Sequence, residues 1–251
     1  MEQMGPLVID IETSGNFEDL PQAVQAYLVE REERRLGEVG AEQDPETNVI
    51  ETLALNPAAG IVVSIGLWLV NQQRGLVLVN NSSITDNKPV GVSSYQDVPV
   101  VYGSEAEILQ VFWSKLVEKA GFWGQRPNYP IITFNGRAFD APFLMLRSAL
   151  YGLKPTRNLM GYRYSFLNHC DLQEVLTFTG ALGWQHRYSL DFWCNMFGIS
   201  SPKQDMDGSQ VGEVWRKGDL ERLIEYSLAD IQATAELYLK LQPLIATLQE
   251  N

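Results

Sequence analysis

Cysteine and histidine are scarce in this sequence of 251 residues, which has only Cys170, Cys194, His169 and His186. Two thiols imply no disulfide framework and fit a reducing compartment as buried side chains. Together with the two histidines they offer no zinc-ligand spacing. Long apolar runs are missing too. The longest, Ile61 to Val70, is about half of what a membrane span needs. The N-terminus carries Glu2 where an export signal would have a basic region. The expectation is a soluble cytoplasmic protein that does not engage a membrane. Basic charge is also short, with 19 Lys and Arg against 31 Asp and Glu, a net charge of −12. Such a balance argues against gripping nucleic acid by charge alone, because that grip comes from Lys and Arg on phosphates. The chain has no phosphate-binding glycine loop, dinucleotide fingerprint or nucleophilic serine elbow. Asp205-Met-Asp207-Gly208 has the start of a calcium loop but neither its spacing nor its terminal Glu.

What is present is acid, unevenly spread. From Glu18 to Glu46 nine acids stand against three arginines, a balance of −6 and half of the total excess. Residues 16 to about 55 read as an insertion. Leu20 to Leu36 can form an amphipathic helix, with Val24, Tyr27 and Leu28 on one face. The polar stretch that follows, to Asn56-Pro57, reads as a mobile loop. This insertion is either a solvated arm or a lid or partner-binding arm beside a site, and the sequence leaves both open.

The remaining pattern is strands early and helices late. Leu7 to Thr13 is a strand ended by Thr13-Ser-Gly15. Ile61–Val70 and Gly75–Asn81 read as an antiparallel pair, followed by a loop from Ile84 to Gly103. Ser104-Glu-Ala-Glu107 opens a helix with a capping box and ends near Gly121. Pro130 to Phe134 is a strand, Asn135-Gly136 a turn, and Ala138 to Leu150 a helix. His169 to Leu172 reads as an edge strand, with short helices at Leu172–Phe178, Ser189–Phe197 and Gln210–Trp215. Asp219 caps a last helix that runs to about Leu241, before Pro243. This is the pattern of a mixed sheet packed by helices in one domain, residues 1–251.

Three acidic stretches interrupt apolar patterns. Asp10 and Glu12 alternate on the first strand and so share a face. Read alone, the alternative is two solvated acids on a half-exposed strand. Asp140 stands where a strand passes into a helix. Asp230 lies on the last helix, one turn from Tyr226 and on the same face. Charges near a core need a counter-charge or a metal. Arg137 and Arg147 flank Asp140, but no arginine adjoins Asp10. Hard oxygen ligands of this kind suit Mg²⁺ or Mn²⁺.

Asp10-Ile-Glu12-Thr13, Asn135-Gly-Arg-Ala-Phe139-Asp140-Ala-Pro142 and Tyr226-x-x-x-Asp230 resemble, in order, the three exonuclease motifs of the DEDD superfamily in its tyrosine subclass. The chain is most similar to predicted 3′–5′ exonucleases akin to the proofreading domain of family B DNA polymerases. The likeness extends to Ser104-Glu105, His169-x-Asp171-Leu172, Ser189-Leu190-Asp191, Lys203 and Asp207-Gly208. It implies a ribonuclease H-like α/β fold, a mixed five-stranded sheet with helices on both faces. It also implies two-metal hydrolysis of terminal phosphodiester bonds of DNA or RNA, releasing nucleoside monophosphates. In that scheme Asp10 serves both ions, Glu12 and Asp230 hold the ion that activates water, and Asp140 supports the second. Tyr226 orients the water, since a phenol with an ordinary pKa near about 10 is a poor base at neutral pH.

The expected partner is a nucleic-acid 3′ end, single-stranded, with a protein partner to supply affinity that weak basic patches lack. Asn135 and Phe139 are candidates to bind the terminal nucleotide, against plain roles as turn and core residues. Thr13 belongs to the same substrate-binding set. Lys203 and Arg187 are candidate phosphate contacts or ordinary surface charges. Asp171 is either a support behind the site or a helix cap. Two rival readings stand beside the exonuclease: a non-catalytic binding module on the same fold, and an enzyme acting on a small nucleotide.

Overall fold

The computed structural model describes residues 5–86, 88–118, 129–201 and 206–249. Its centre is β1, Leu7–Ser14, whose alternation divides the molecule into two layers. Leu7, Ile9 and Ile11 belong to one core and Val8 to the other. Antiparallel to β1 runs β2, Ile61–Leu69, and antiparallel to β2 runs β3, Arg74–Asn80. On the other side of β1, β6 (Ile131–Thr133) and β7 (His169–Asp171) continue the sheet in parallel.

Among the described residues the sheet has seven strands, in the order β4-β5-β3-β2-β1-β6-β7, not the expected five. The additional pair is β4, Gly91–Tyr95, and β5, Val98–Gly103, inside the stretch read from sequence as a loop. β5 pairs parallel with the open edge of β3, and β4 folds back on β5. Gln96 and Asp97 turn the hairpin with φ of 48° and 65°, the left-handed pair that suits strand twist. Gly91, Val92, Ser93 and Ser94 are exposed, so β4 lacks the apolar alternation that would reveal it.

Helices cover both faces. α3 (Glu105–Glu118) and α4 (Asp140–Leu150) bury Ile108, Phe112, Phe143 and Leu144 against Ile9, Ile65 and Leu78. The Ser104 capping box forms: Ser104 N–H donates to Glu107 Oε2 at 2.7 Å and Glu107 N–H donates back to Ser104 Oγ at 3.4 Å. After β7 comes the short α5, Leu172–Leu176. The opposite face carries α6 (Leu190–Phe197), α7 (Val211–Arg216) and α8 (Leu220–Gln249). α8 continues through Pro243, past the expected end at Leu241. Proline removes one helical donor, but buried Leu241 and Ile245 and the packed Leu244 and Leu248 hold the last turns on the core. Among the described residues no helix is long and apolar enough to cross a membrane.

Between β1 and β2 lie α1, Gln22–Val39, and α2, Pro45–Thr52. α2 occupies much of the segment read as a mobile loop. Asp44 caps it, accepting from Thr47 N–H at 2.8 Å, with Pro45 in the first turn. That Asp-Pro start was a legible helix signal. The helix persists because Val49 and the following Leu53 enter a small core with Phe17 and Ala59.

Candidate active site

On β1, Asp10 and Glu12 project with Val8 toward α8. Opposite them in β2 stand two small residues: Gly66 pairs with Asp10 and Ser64 with Glu12. A Cβ on Gly66 would lie 2.7 Å from Ile231 Cγ2, so only glycine admits α8 this close. Ser64 Oγ and Ser227 Oγ share a buried hydrogen bond of 2.8 Å. With Ser227 and Ile231 pressed on the sheet, the neighbouring face of α8 presents Tyr226 and Asp230 to β1. Carboxylate oxygens of Asp10, Glu12 and Asp230 all lie within 4.8 Å of one another. Asp140, the first residue of α4, stands beside this trio and not within it: its Oδ1 accepts from Ile11 N–H at 2.9 Å, and its charge acts on Asp10 and Glu12.

The electrostatics follow from that crowding. Burial, then the charges of Asp140, Glu12 and Asp230, hold the Asp10 carboxyl well above the usual range. Burial, Asp230 and Asp140 do the same to Glu12. Burial raises Asp140 to about 7, although its own N–H and that of Ile11 pull the other way. Burial raises the Tyr226 phenol, and so do Asp230, Glu12 and Asp10; its hydroxyl is hydrogen-bonded to Asp230. Tyr226 is therefore a protonated donor, not a base. Arg137 and Arg147, which flank Asp140 in sequence, serve other acids: Arg137 pairs with Glu174 and Arg147 with Glu105, both at 2.7 Å. No arginine or lysine among the described residues pairs with Asp10, Glu12 or Asp140. An all-oxygen donor set at this spacing fits hard divalent cations such as Mg²⁺ or Mn²⁺.

These observations stand on geometry alone, and comparison with known proteins adds a family. The family of predicted 3′–5′ exonucleases related to the exonuclease domain of PolB matches residues 76–251. The chain belongs to this family. An uncharacterized protein of Methanocaldococcus jannaschii is 30% identical over 196 residues, which are 75% of this chain and 90% of that one. The DNA polymerase of Desulfurococcus sp. is 28% identical over 185 residues, 66% of this chain but 22% of the polymerase. The family B DNA polymerase of Pyrobaculum calidifontis superposes with a TM-score of 0.56 at 17% identity, over 98% of this chain and 27% of the polymerase, which shows a shared fold. The chain thus spans about a quarter or less of the polymerases it matches. In this PolB-related exonuclease family member the family match begins after β1, so Asp10 and Glu12 lie outside it. The tertiary structure delivers them to Asp230.

The residues expected to touch substrate are placed unevenly. Asn135 sits in the left-handed region at φ 61°, and its carbonyl accepts from Ala138 and Phe139 N–H at 3.1 and 3.2 Å. A Cβ on Gly136 would fall 2.4 Å from Thr133 Cβ, which accounts for the Asn-Gly turn. Phe139 is half-buried, its ring 4.9 Å from that of Phe143. Thr13 donates its hydroxyl to the Ala54 carbonyl at 2.6 Å, tying the segment after α2 to β1. Lys203 lies outside the described residues. Arg187 is exposed and forms no ion pair among the described residues.

Asp171 does both things the sequence allowed. It caps α5, accepting from Gln173 N–H at 3.0 Å, and it accepts from Asn135 and Arg137 N–H at 2.8 and 2.9 Å. It thereby holds the turn that delivers Asn135, Phe139 and Asp140. Ser64, Gly66 and Ser227 went unread in the sequence, although a glycine inside a buried apolar strand is a recognised sign of close backbone approach.

Proposed function

We propose that this protein is a metal-dependent 3′–5′ exonuclease of the DEDD superfamily's tyrosine subclass. It removes nucleoside monophosphates from a single-stranded 3′ end of DNA or RNA. The observation that carries the reading is the convergence of Asp10, Glu12 and Asp230, with Asp140 against Ile11, from positions more than two hundred residues apart. Asp10, Glu12, Asp140 and Asp230 are the residues that would hold two divalent cations. When bound, such ions offset the acidic cluster and the phosphate, and supply the activation of water that phosphodiester hydrolysis needs.

The chain's own groups do the rest. Tyr226, kept protonated, orients the attacking water through its hydroxyl. Phe139 offers a face to the terminal base and Asn135 a hydrogen bond, while Asp171 keeps their turn rigid. Thr13 anchors the segment beside the strand's end, and Lys203 contacts a phosphate. Because the surface is acidic, affinity for the strand is low and a protein partner supplies the remainder.

Incubating the protein with 5′-labelled oligonucleotides and Mg²⁺ or Mn²⁺ tests this. A ladder shortening from the 3′ end is expected, absent with EDTA. A folded protein that yields no ladder with either ion, or that cleaves only within the strand, would overturn the reading.

A further inference from the structure

We propose that Trp184, Tyr188 and Phe192 form a stacking platform for the bases of single-stranded nucleic acid upstream of the bond being cut. The placement of that strand rests on the exonuclease reading. From Phe178 to Phe197 the sequence carries six aromatic residues and one acid, Asp191. Most of these rings are presented outward. Trp184 is 83% exposed, the largest exposure of any big apolar side chain described. Tyr188 and Phe192 are exposed and stacked on each other, with centroids 4.2 Å apart and planes at 26°. Trp193 stands edge-on behind both, at 5.9 and 5.3 Å, and holds the pair upright.

Flat, rigid, outward-facing π surfaces are what bases stack on, whatever their sequence. The charge of the segment agrees. Asp191 is half-buried and hydrogen-bonded to Asn195 and Ser201. Arg187 and His186 sit between Trp184 and Tyr188, both exposed, and Arg187 has no ion-pair partner among the described residues. In a chain of net charge −12, this acid-poor stretch suits a phosphate backbone. Its position agrees as well. α6 packs on α8, the helix that carries Asp230. The outer face of α6 carries the exposed Phe192, which places the platform on the helix pair that also bears Asp230. The segment also begins on two consecutive left-handed residues, Phe178 and Thr179, at φ 50° and 55°. Such strained backbone concentrates at functional loops.

The test compares a long and a short substrate in the full-length protein and in Trp184→Ala and Phe192→Ala, with circular dichroism confirming the fold. Binding of an oligothymidylate of about 12 nucleotides, deoxyribo and ribo, is followed in EDTA by tryptophan quenching and anisotropy. Hydrolysis of the same oligomer and of a dinucleotide is followed with Mn²⁺. Each variant is expected to weaken binding of the long strand about 5- to 100-fold, raising its KM, while dinucleotide turnover stays within about two-fold. Wild-type protein that does not bind the long strand, variants that bind it as tightly as wild type, or equal losses on both substrates would each overturn the platform. Unchanged strand binding accompanied by loss of self-association would reassign the surface to a protein contact. If the wild type hydrolyses nothing, the exonuclease reading falls, but the effect of Trp184→Ala on strand affinity still decides the platform.

Discussion

Two groups of acids lie a few residues apart at one end of the sheet, and they are treated in opposite ways. Glu105, Asp171 and Glu174 are buried and fully supplied with donors. Glu105 receives both forks of Arg147, the Tyr151 hydroxyl and the Val62 N–H. Glu174 receives Arg137, with Arg163 at 3.5 Å, and Asp171 receives three backbone N–H groups. Asp10, Glu12 and Asp140 face one another and Asp230 instead, and each is pushed upward in pKa by burial and by its neighbours. Burial of acid therefore does not by itself mark a site. What separates Glu105 and Glu174 from Asp10 and Glu12 is the counter-charge, while Asp171 rests on backbone N–H groups alone. The first group knits α3, α4, β2 and the Asn135 turn together, and the second is an acidic cluster compatible with a bound cation.

The comparison breaks most visibly at Asp10. Asp10→Asn should lower the 3′ hydrolysis rate by more than about 100-fold, beyond the loss typical of residues that only support metal ligands. The same change should raise the melting temperature in EDTA, because it removes one of several mutually repelling charges. A melting temperature that falls instead would place Asp10 with the structural acids. Glu105→Ala should do the reverse. Leaving Arg147 buried without its partner should cost about 3–5 kcal/mol of unfolding free energy in urea, with rate per folded molecule little changed.

His169 sharpens the contrast on the structural side. Its Nδ1 meets the Leu159 carbonyl at 2.6 Å and its Nε2 the Thr133 hydroxyl at 2.7 Å, so both ring nitrogens are held inside the protein. Burial first, then the Arg137 charge, push it down to about 4. The unfolded chain, titrating near about 6.5, then binds a proton that the folded one refuses. Stability from this residue is complete above that pH and is lost as pH falls toward about 4, by about 3 kcal/mol. The gap in urea stability between wild type and His169→Gln should narrow across that window. Gly66→Ala should have the smallest effect, about 1–3 kcal/mol from overpacking against Ile231, with a rate loss as α8 is displaced. Combining it with Ile231→Leu, which removes the clashing Cγ2, should restore part of both, and no restoration would separate Gly66 from the placement of Asp230.

Much of the fold was legible because the signals were local. β1, β2 and β3 follow from apolar runs, α3 from its capping box and α6 from Ser189. The hairpin β4–β5 was not legible, since β4 has no buried face and its turn has no glycine. α2 was missed because acidic composition outweighed the Asp44-Pro45 cap. The end of α8 was misplaced because Pro243 is a local stop that packing of Ile245 overrides. In the site, the motif residues were legible and their neighbours were not. Nothing near Gly66 in sequence says that α8 lies against it, and nothing near Asp171 says that it holds the turn at Asn135.

The sequence by itself determined which residue faces go together: Asp10 with Glu12 by the two-residue period of a strand, and Tyr226 with Asp230 by the turn of a helix. Both follow from backbone geometry within a few residues. That those two faces meet, that Asp140 leans on Ile11, and that Arg137 and Arg147 are drawn away to Glu174 and Glu105 were decided only by the tertiary structure. Contacts between residues dozens to hundreds of positions apart depend on how the sheet and its helices pack, and no local pattern encodes them.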